Sequence, residues 1–312
     1  MKTFKYIALL AASSFLYSGT QAQTKPKNEE VIGTLTYSGT RLTYPLVEAW
    51  IKEFNKQYPN VSIGLLPQKS ATTADLKILA YTLGANEIKP DEAYIISSNY
   101  AQLPISNSNN PALKEWSKTG LKEADIKQLY FKTDSTQTAS SHNKVTIYNR
   151  GSAVCAAKSF ASHYGTSFSQ SNGIGVNGDD RTLIEATKKD PNGITYNNLG
   201  FIYDLTTRKV IDGISVIPID INENGKVDAD ENIYSNLDQL LAKLETGNVS
   251  AVTVDKVNIV YKKEEKNHAL ALFLEFVQSP AGQKLNHQYG FLSPDTDKQI
   301  VALQKKKNLT AK

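Results

Sequence analysis

The run Asp220-Ile221-Asn222-Glu223-Asn224-Gly225-Lys226-Val227-Asp228-Ala229-Asp230-Glu231 spaces oxygen-bearing side chains as a hard cation requires. Oxygen donors fall at its first, third, fifth, ninth and twelfth places, glycine at the sixth and an apolar residue at the eighth. That is the pattern of a calcium loop, in which the seventh residue gives only its carbonyl. The expected ligands are Asp220, Asn222, Asn224, the carbonyl of Lys226, Asp228 and Glu231, with calcium as the cofactor. A plain hairpin turning at Asn224-Gly225 is the other reading, and the two can coexist. The preceding Gly213 to Ile219 reads as strand rather than helix, so there is no helix pair to open and the ion would be structural.

A second group of residues suits a small anion. Where a strand ends, the chain turns tightly and a helix begins, free amide N–H groups and the helix dipole favour negative charge. Ser38-Gly39-Thr40-Arg41 lies between a strand and a helix in this way. Gly39 allows close approach, Thr40 offers a hydroxyl and Arg41 a planar charged fork. Ser70-Ala71-Thr72-Thr73 precedes an expected second helix, and Arg150-Gly151-Ser152 opens a third. Three such starts could enclose one oxyanion. Taken singly, Ser38, Thr72 and Ser152 read better as ordinary helix caps, and only the full set favours the anion.

Other motifs carry less. Gly173-Ile174-Gly175-Val176-Asn177-Gly178 spells a dinucleotide fingerprint, but it follows polar residues instead of a strand, and Asp179-Asp180 would repel a pyrophosphate; a flexible loop is expected. Ser141-His142-Asn143-Lys144 fits Ser-x-x-Lys without its companion motifs. His142, His163, His268 and His287 are too dispersed for zinc. No pair of acids or nucleophile constellation points to an enzyme.

These residues must be held by elements, and the chain of 312 residues is long enough to form two lobes. It is 40% hydrophobic and 21% charged, ordinary for a globular protein, and its net charge of +4 gives no sign of a grip on nucleic acid. Met1 to Ala22, with Lys2 and Lys5 before an apolar stretch and Thr20-Gln21-Ala22 at its end, reads as a signal peptide for a periplasmic or secreted product. No cysteine lies near the cut to carry a lipid anchor, and no later stretch is apolar enough to span a bilayer. Cys155, the single cysteine, is expected as a buried, inert thiol.

Strand-like and helix-like segments alternate, which predicts α/β lobes on mainly parallel sheets. Val31 to Tyr37, Val61 to Leu65, Ala93 to Ile96, Val145 to Tyr148, Ile194 to Tyr196, Phe201 to Tyr203, Val210 to Ile221 and Val257 to Tyr261 read as strands. Helices are expected from Pro45 until the stop at Pro59, Thr73 to Leu83, Ser152 to Tyr164, Asp180 to a point before Pro191, Ser235 to Leu244 (Ser235 and Asp238 as capping box) and Asn267 to Gln278. Ser97 to Pro111, rich in serine and asparagine, has the composition of a crossing between lobes rather than of a core.

The whole pattern resembles one family. Tyr37-Ser38-Gly39-Thr40-Arg41-Leu42-Thr43-Tyr44-Pro45-Leu46 resembles the Ser-Gly-Ser-Ser-Thr-x-x-Pro-Leu opening of the phosphate-binding proteins of ABC importers. Arg150-Gly151-Ser152-Ala153-Val154 is similar to a worn form of their Arg-x-x-Gly-Ser-Gly-Thr turn, and Gly193-Ile194-Thr195-Tyr196 to their Ile-Gly-Tyr strand. Leu272-Phe273-Leu274-Glu275-Phe276-Val277 with Ser279-Pro280-Ala281-Gly282-Gln283 resembles their C-terminal helix and the turn after it.

The resemblance implies a two-lobed periplasmic binding protein fold of type 2. Residues 31–98 and 255–312 would form one lobe and 99–254, with the calcium loop, the other. It also implies an exported, monomeric carrier of phosphate or a related oxyanion, an ABC permease as partner, and contacts at Ser38, Gly39, Thr40, Arg41, Ser70, Thr72, Ser98, Arg150, Gly151 and Ser152. The family places an acid after the third strand; the matching place here is read as Ser97-Ser98-Asn99, which has none and would discriminate anions weakly. The alternative is an extracellular interaction protein on the same fold that has lost the anion site.

Overall fold

The computed structural model describes residues 31–67, 72–84, 86–132, 145–246, 249, 251–264 and 267–295. The expected signal peptide and Ser70 lie outside them. The chain begins with β1 (Gly33–Gly39), α1 (Tyr44–Phe54), β2 (Val61–Leu65), β3 (Leu76–Leu79) and a sixteen-residue strand, β4 (Glu92–Asn107). There follow α2 (Leu113–Thr119), α3 (Glu123–Tyr130), β5 (Thr146–Arg150), α4 (Cys155–His163), β6 (Ile174–Val176) and α5 (Asp180–Lys189). Then come β7 (Gly193–Asn198), α6 (Leu199–Ile202), β8 (Ile214–Val216) and α7 (Leu237–Glu245). The described chain closes with β9 (Thr253–Lys262), α8 (His268–Gln278) and α9 (Pro280–Gln288).

The strands run in the order β2-β1-β3-β9-β4-β7-β5-β6, with β8 beside β4. The outer strands pair in parallel, β1 with β2 and β3, and β5 with β6 and β7. The central β4 and β9 are antiparallel to each other and join the halves. Apolar side chains form two cores. One holds Leu35, Trp50, Phe54, Ile78, Ile259 and Phe273; the other holds Leu103, Tyr130, Phe160, Tyr196, Ile202 and Leu240. In the second, the Phe160 and Tyr196 rings stack 3.7 Å apart. Two cores on one joined sheet make the two-lobed α/β architecture that the alternating pattern predicts.

The first helix forms as its apolar spacing dictates, burying Leu46, Val47, Trp50 and Phe54 on one face. The expected second helix, Thr73 to Leu83, is instead β3. Its residues favour helix by type, but Leu76, Ile78 and Ala80 are buried in strict alternation, the signature of a strand between β1 and β9. Phe201 to Tyr203, expected as strand, lies largely within the short helix α6. The span Val210 to Ile221 pairs as a strand only over Ile214–Val216. The cap of α7 is Asn236, whose side chain accepts from the amides of Asp238 and Gln239, and not Ser235. Within the loop expected at Gly173 to Gly178, Ile174–Val176 form β6.

The largest departure is β4. The expected short strand at Ala93 to Ile96 continues through the serine- and asparagine-rich stretch, which is buried within the sheet. Four of its polar side chains donate to backbone carbonyls on both sides, whereas Ser98 Oγ and Ser106 Oγ are buried without a partner among the described residues. Ser97 Oγ donates to Val257 O at 3.0 Å, Asn99 Nδ2 to Ser293 O at 2.9 Å, Gln102 Nε2 to Ala156 O at 3.1 Å and Asn107 Nδ2 to Lys188 O at 2.7 Å. The pairing register with β9 shifts between Ile96 and Ser98, a bulge at the waist.

Candidate functional site

A cleft of about 800 Å³ opens between the two cores. One wall is the end of β1 and the turn after it, with Gly39, Thr40 and Arg41, together with Ile78, Tyr81 and Thr82 around the end of β3. Gly39 is there because β1 and β3 approach closely. A Cβ built on it would stand 2.5 Å from Ile78 O and 2.8 Å from Ile78 Cβ. Arg41 is exposed, makes no ion pair among the described residues and leaves its fork to the cleft.

The other wall is the end of β5, the start of α4 and the entry to α5. Arg150, the last residue of β5, is 8% exposed. Its Nη2 donates to Gly178 O at 2.6 Å, while Nε and Nη1 are buried with no hydrogen-bond partner. Nη1 lies 4.0 Å from Asp180 Oδ1. Asp180 opens α5, is buried, and also accepts from Asn198 Nδ2 at 3.3 Å. Burial raises the Asp180 carboxyl above the usual aspartate value, and Arg150 offsets part of that rise. Beside them Ser152, Ala153, Val154 and Cys155 bring the N-terminus of α4 to the cleft, followed by Lys158 one turn on. Burial also raises the Cys155 thiol, consistent with an unreactive residue.

Of the residues singled out in the sequence, Gly39, Thr40, Arg41, Arg150 and Ser152 share this cleft. Ser38 does not border it; it sits within β1 opposite Lys77. Gly151 packs behind it, its amide donating to Val176 O at 2.8 Å. Thr72 is exposed ahead of a strand, and Ser98 is buried in β4. The cap reading fails as well. Ser38 lies in a strand, Thr72 precedes one, and α4 begins at Cys155 with Val154 at its cap and Ser152 outside it.

No acid follows the expected third strand, but a buried carboxyl, Asp180, borders the cleft from the other wall. Ser97-Ser98-Asn99 belongs to the waist, because the third strand is really β3 and the residues after it are Ala80, Tyr81 and Thr82. Asp180 brings a carboxyl beside Arg150 through the packing of α5 on β5, a contact that no spacing along the chain announces. The signal that was available is Asp179, which caps α5 by accepting from Thr182 N at 2.9 Å and so fixes where Asp180 starts the helix. A cleft with two arginines, a helix start and one buried acid is suited to a small anion that carries a proton or tolerates a neutral carboxyl beside it.

No protein-family profile and no curated protein matches the chain. Solved structures do. An ABC-type phosphate transport receptor from Vibrio cholerae superposes with a TM-score of 0.58 at 14% identity, covering 83% of this chain and 100% of the receptor. A phosphate ABC transporter substrate-binding protein from Clostridium perfringens, with bound phosphate, gives 0.62 at 16% identity over 83% and 99% of the two chains. PstS from Borrelia burgdorferi gives 0.51 at 15% identity over 84% and 98%. Among the described residues no helix is long and apolar enough to cross a membrane. The two cores, the paired crossing strands and these superpositions together establish that the chain has the two-lobed fold of periplasmic substrate-binding proteins.

Proposed function

We propose that the protein is an exported solute-binding protein that captures phosphate or a related small oxyanion in this cleft and delivers it to an ABC permease. The observation that carries the reading is Arg150, a buried guanidinium at the cleft wall with two N–H-bearing nitrogens left unpartnered. Buried donors without partners are costly, and an oxyanion arriving beside the start of α4 would satisfy them. Arg41 faces the same space from the other lobe, so a bound anion would draw the lobes together. The lobes of the proposal are residues 31–98 with 255–312, and 99–254, with the waist of β4 and β9 as the hinge. A monomer suffices, since both walls come from one chain.

Isothermal calorimetry with phosphate, sulfate and methylphosphonate tests the proposal. Saturable heat for at least one anion is expected, with Arg150→Ala weakening it by about 100-fold, the scale of losing a buried charge-assisted contact. Absence of heat with every anion would overturn transport and favour the interaction-protein reading, in which the fold persists without its ligand.

A further inference from the structure

We propose that the loop from Asp220 to Glu231 is a structural calcium site in the lobe formed by the middle of the chain. The oxygen donors of the loop have the spacing of a calcium site, and its buried carboxylates leave a charge imbalance. Asp220 and Glu231, the first and last residues of the loop, are 0% and 2% exposed. Among the described residues neither takes part in an ion pair. Lys226 is the only basic residue in the loop; it is exposed, and its Nζ is spent on Asp228 Oδ1 at 2.6 Å. Two buried carboxylates without a cation are an unstable arrangement unless a charge is supplied from outside the chain.

Backbone amides hold these carboxylates but do not neutralise them. Asp220 Oδ1 accepts from Asn224 N at 3.1 Å and Oδ2 from Gly225 N at 2.7 Å. Glu231 Oε1 accepts from Asn222 N at 3.0 Å and Oε2 from Asp228 N at 3.0 Å. Each oxygen has accepted one bond and keeps a second lone pair for a metal. Gly225, at φ +85°, makes the bend that returns the chain toward Asp220. Among the described residues no three acids are drawn together as a finished shell, and Asp228 is tied to Lys226, Asn222 and Asn224, so the ion would gather its ligands. Carboxylates, side-chain amides and the Lys226 carbonyl are the oxygens calcium takes. Magnesium keeps its waters, and zinc would want histidine or cysteine, which the loop lacks.

The ion would fasten two parts of one lobe. Asp220 N donates to Leu121 O at 3.0 Å and Val227 N to Lys118 O at 2.7 Å, so the loop is laced to the junction of α2 and α3. None of its residues borders the anion cleft. The proposal therefore stands or falls independently of anion binding.

The test is titration of calcium into the full chain stripped with EDTA, followed by thermal unfolding with and without the ion. One saturable calorimetric site and a melting temperature several degrees higher are expected. Glu231→Gln should weaken calcium binding by about tenfold or more, since it removes a ligand charge. Should that variant fail to fold, Asn224→Ala removes an exposed donor and should weaken binding while the calcium-free melting curve is kept. No heat and identical melting in calcium and EDTA would overturn the proposal, as would an equal response to magnesium at the same concentration.

Discussion

Arg150 Nη1 stands 4.0 Å from Asp180 Oδ1, with both side chains almost fully buried, so the two charges face each other without a hydrogen bond between them. The pair is held apart by other ties, Arg150 to Gly178 O and Asp180 to Asn198 Nδ2. An anion bound at Arg150 would meet the Asp180 carboxylate as a neighbouring like charge. Asp180 is already pushed up by burial, so anion binding should draw a proton onto it. For sulfate, whose own charge is constant over the range, affinity should be highest at low pH and fall as pH rises through the raised Asp180 value. Asp180→Asn should flatten that dependence and tighten sulfate binding at neutral pH by about tenfold, the equivalent of one pKa unit. Calorimetry across pH 4 to 8 checks both; an unchanged slope in the variant would show that Asp180 does not sense the ligand.

Gly39 offers a steric prediction. Alanine there would press on the Ile78 backbone of β3, which has β9 behind it and cannot yield cheaply. Gly39→Ala should destabilise the protein by about 1–3 kcal/mol, the usual cost of overpacking, and should also weaken anion binding because the turn bearing Thr40 and Arg41 must shift. Urea unfolding and calorimetry on the same sample would separate the two effects.

A polar clip joins α7 to α9. His287 Nε2 lies 2.6 Å from Glu245 Oε1, and Glu245 Oε1 also accepts from Ser293 N. Arg208 bonds Asp238 and donates to the carbonyls of His287 and Gln288 at the end of α9. The hydrogen bond with Glu245 raises the His287 pKa, with Asp238 adding to it and burial and Arg208 opposing. Burial works to raise Glu245, but His287 and the Ser293 amide outweigh it and hold the carboxyl low.

A raised histidine stabilises fully below about 6.5 and loses that contribution as pH rises through its folded value. A lowered glutamate stabilises above about 4.3 and loses it as pH falls through its folded value. The clip should therefore be strongest between those limits. His287→Ala should lower the melting temperature most at about pH 5.5 and least at about pH 9, where the imidazole is neutral in either case. Equal losses at both values would contradict the assignment.

Trp50 anchors the first lobe, fully buried, with Nε1 donating to Gly282 O at 3.2 Å across to α9. Trp50→Phe should cost about 1 kcal/mol beyond the volume change by losing that buried hydrogen bond, and Trp50→Ala about 3–5 kcal/mol through the cavity. Denaturant titration of the two variants distinguishes the polar tie from the packing.

Much of the architecture could be read from the chain. The stripe of Leu46, Val47, Trp50 and Phe54, the alternation at Leu35 and Tyr37, and the apolar face of α8 each follow from one period and one buried side. Local types misled where tertiary context overrode them. Lys77, Leu79 and Ala80 are good helix formers, yet β3 is flanked on both edges, and alternation decides. In β4 the usual signal is reversed, because Ser97, Asn99 and Asn107 are buried with bonds to neighbouring backbone.

The site was legible in part for the same reason. Gly39 to Arg41 and Arg150 to Ser152 sit at strand ends, which sequence marks well. Which way Ser38 or Ser98 faces depends on strand register, and a slip of one residue reverses it. Asp180 was visible only as a charge unfriendly to phosphate, since its role depends on a neighbour thirty positions away along the chain.

The waist has a mechanical consequence. Because β4 and β9 are laddered to one another from Glu92 to Gln102, neither crossing can pivot alone; any change of angle between the halves must be shared as twist along a two-stranded ribbon. Such a ribbon behaves as a torsion spring with a set rest position. A guest that pulled the halves together would load it, and the recoil would help expel that guest once its grip was broken.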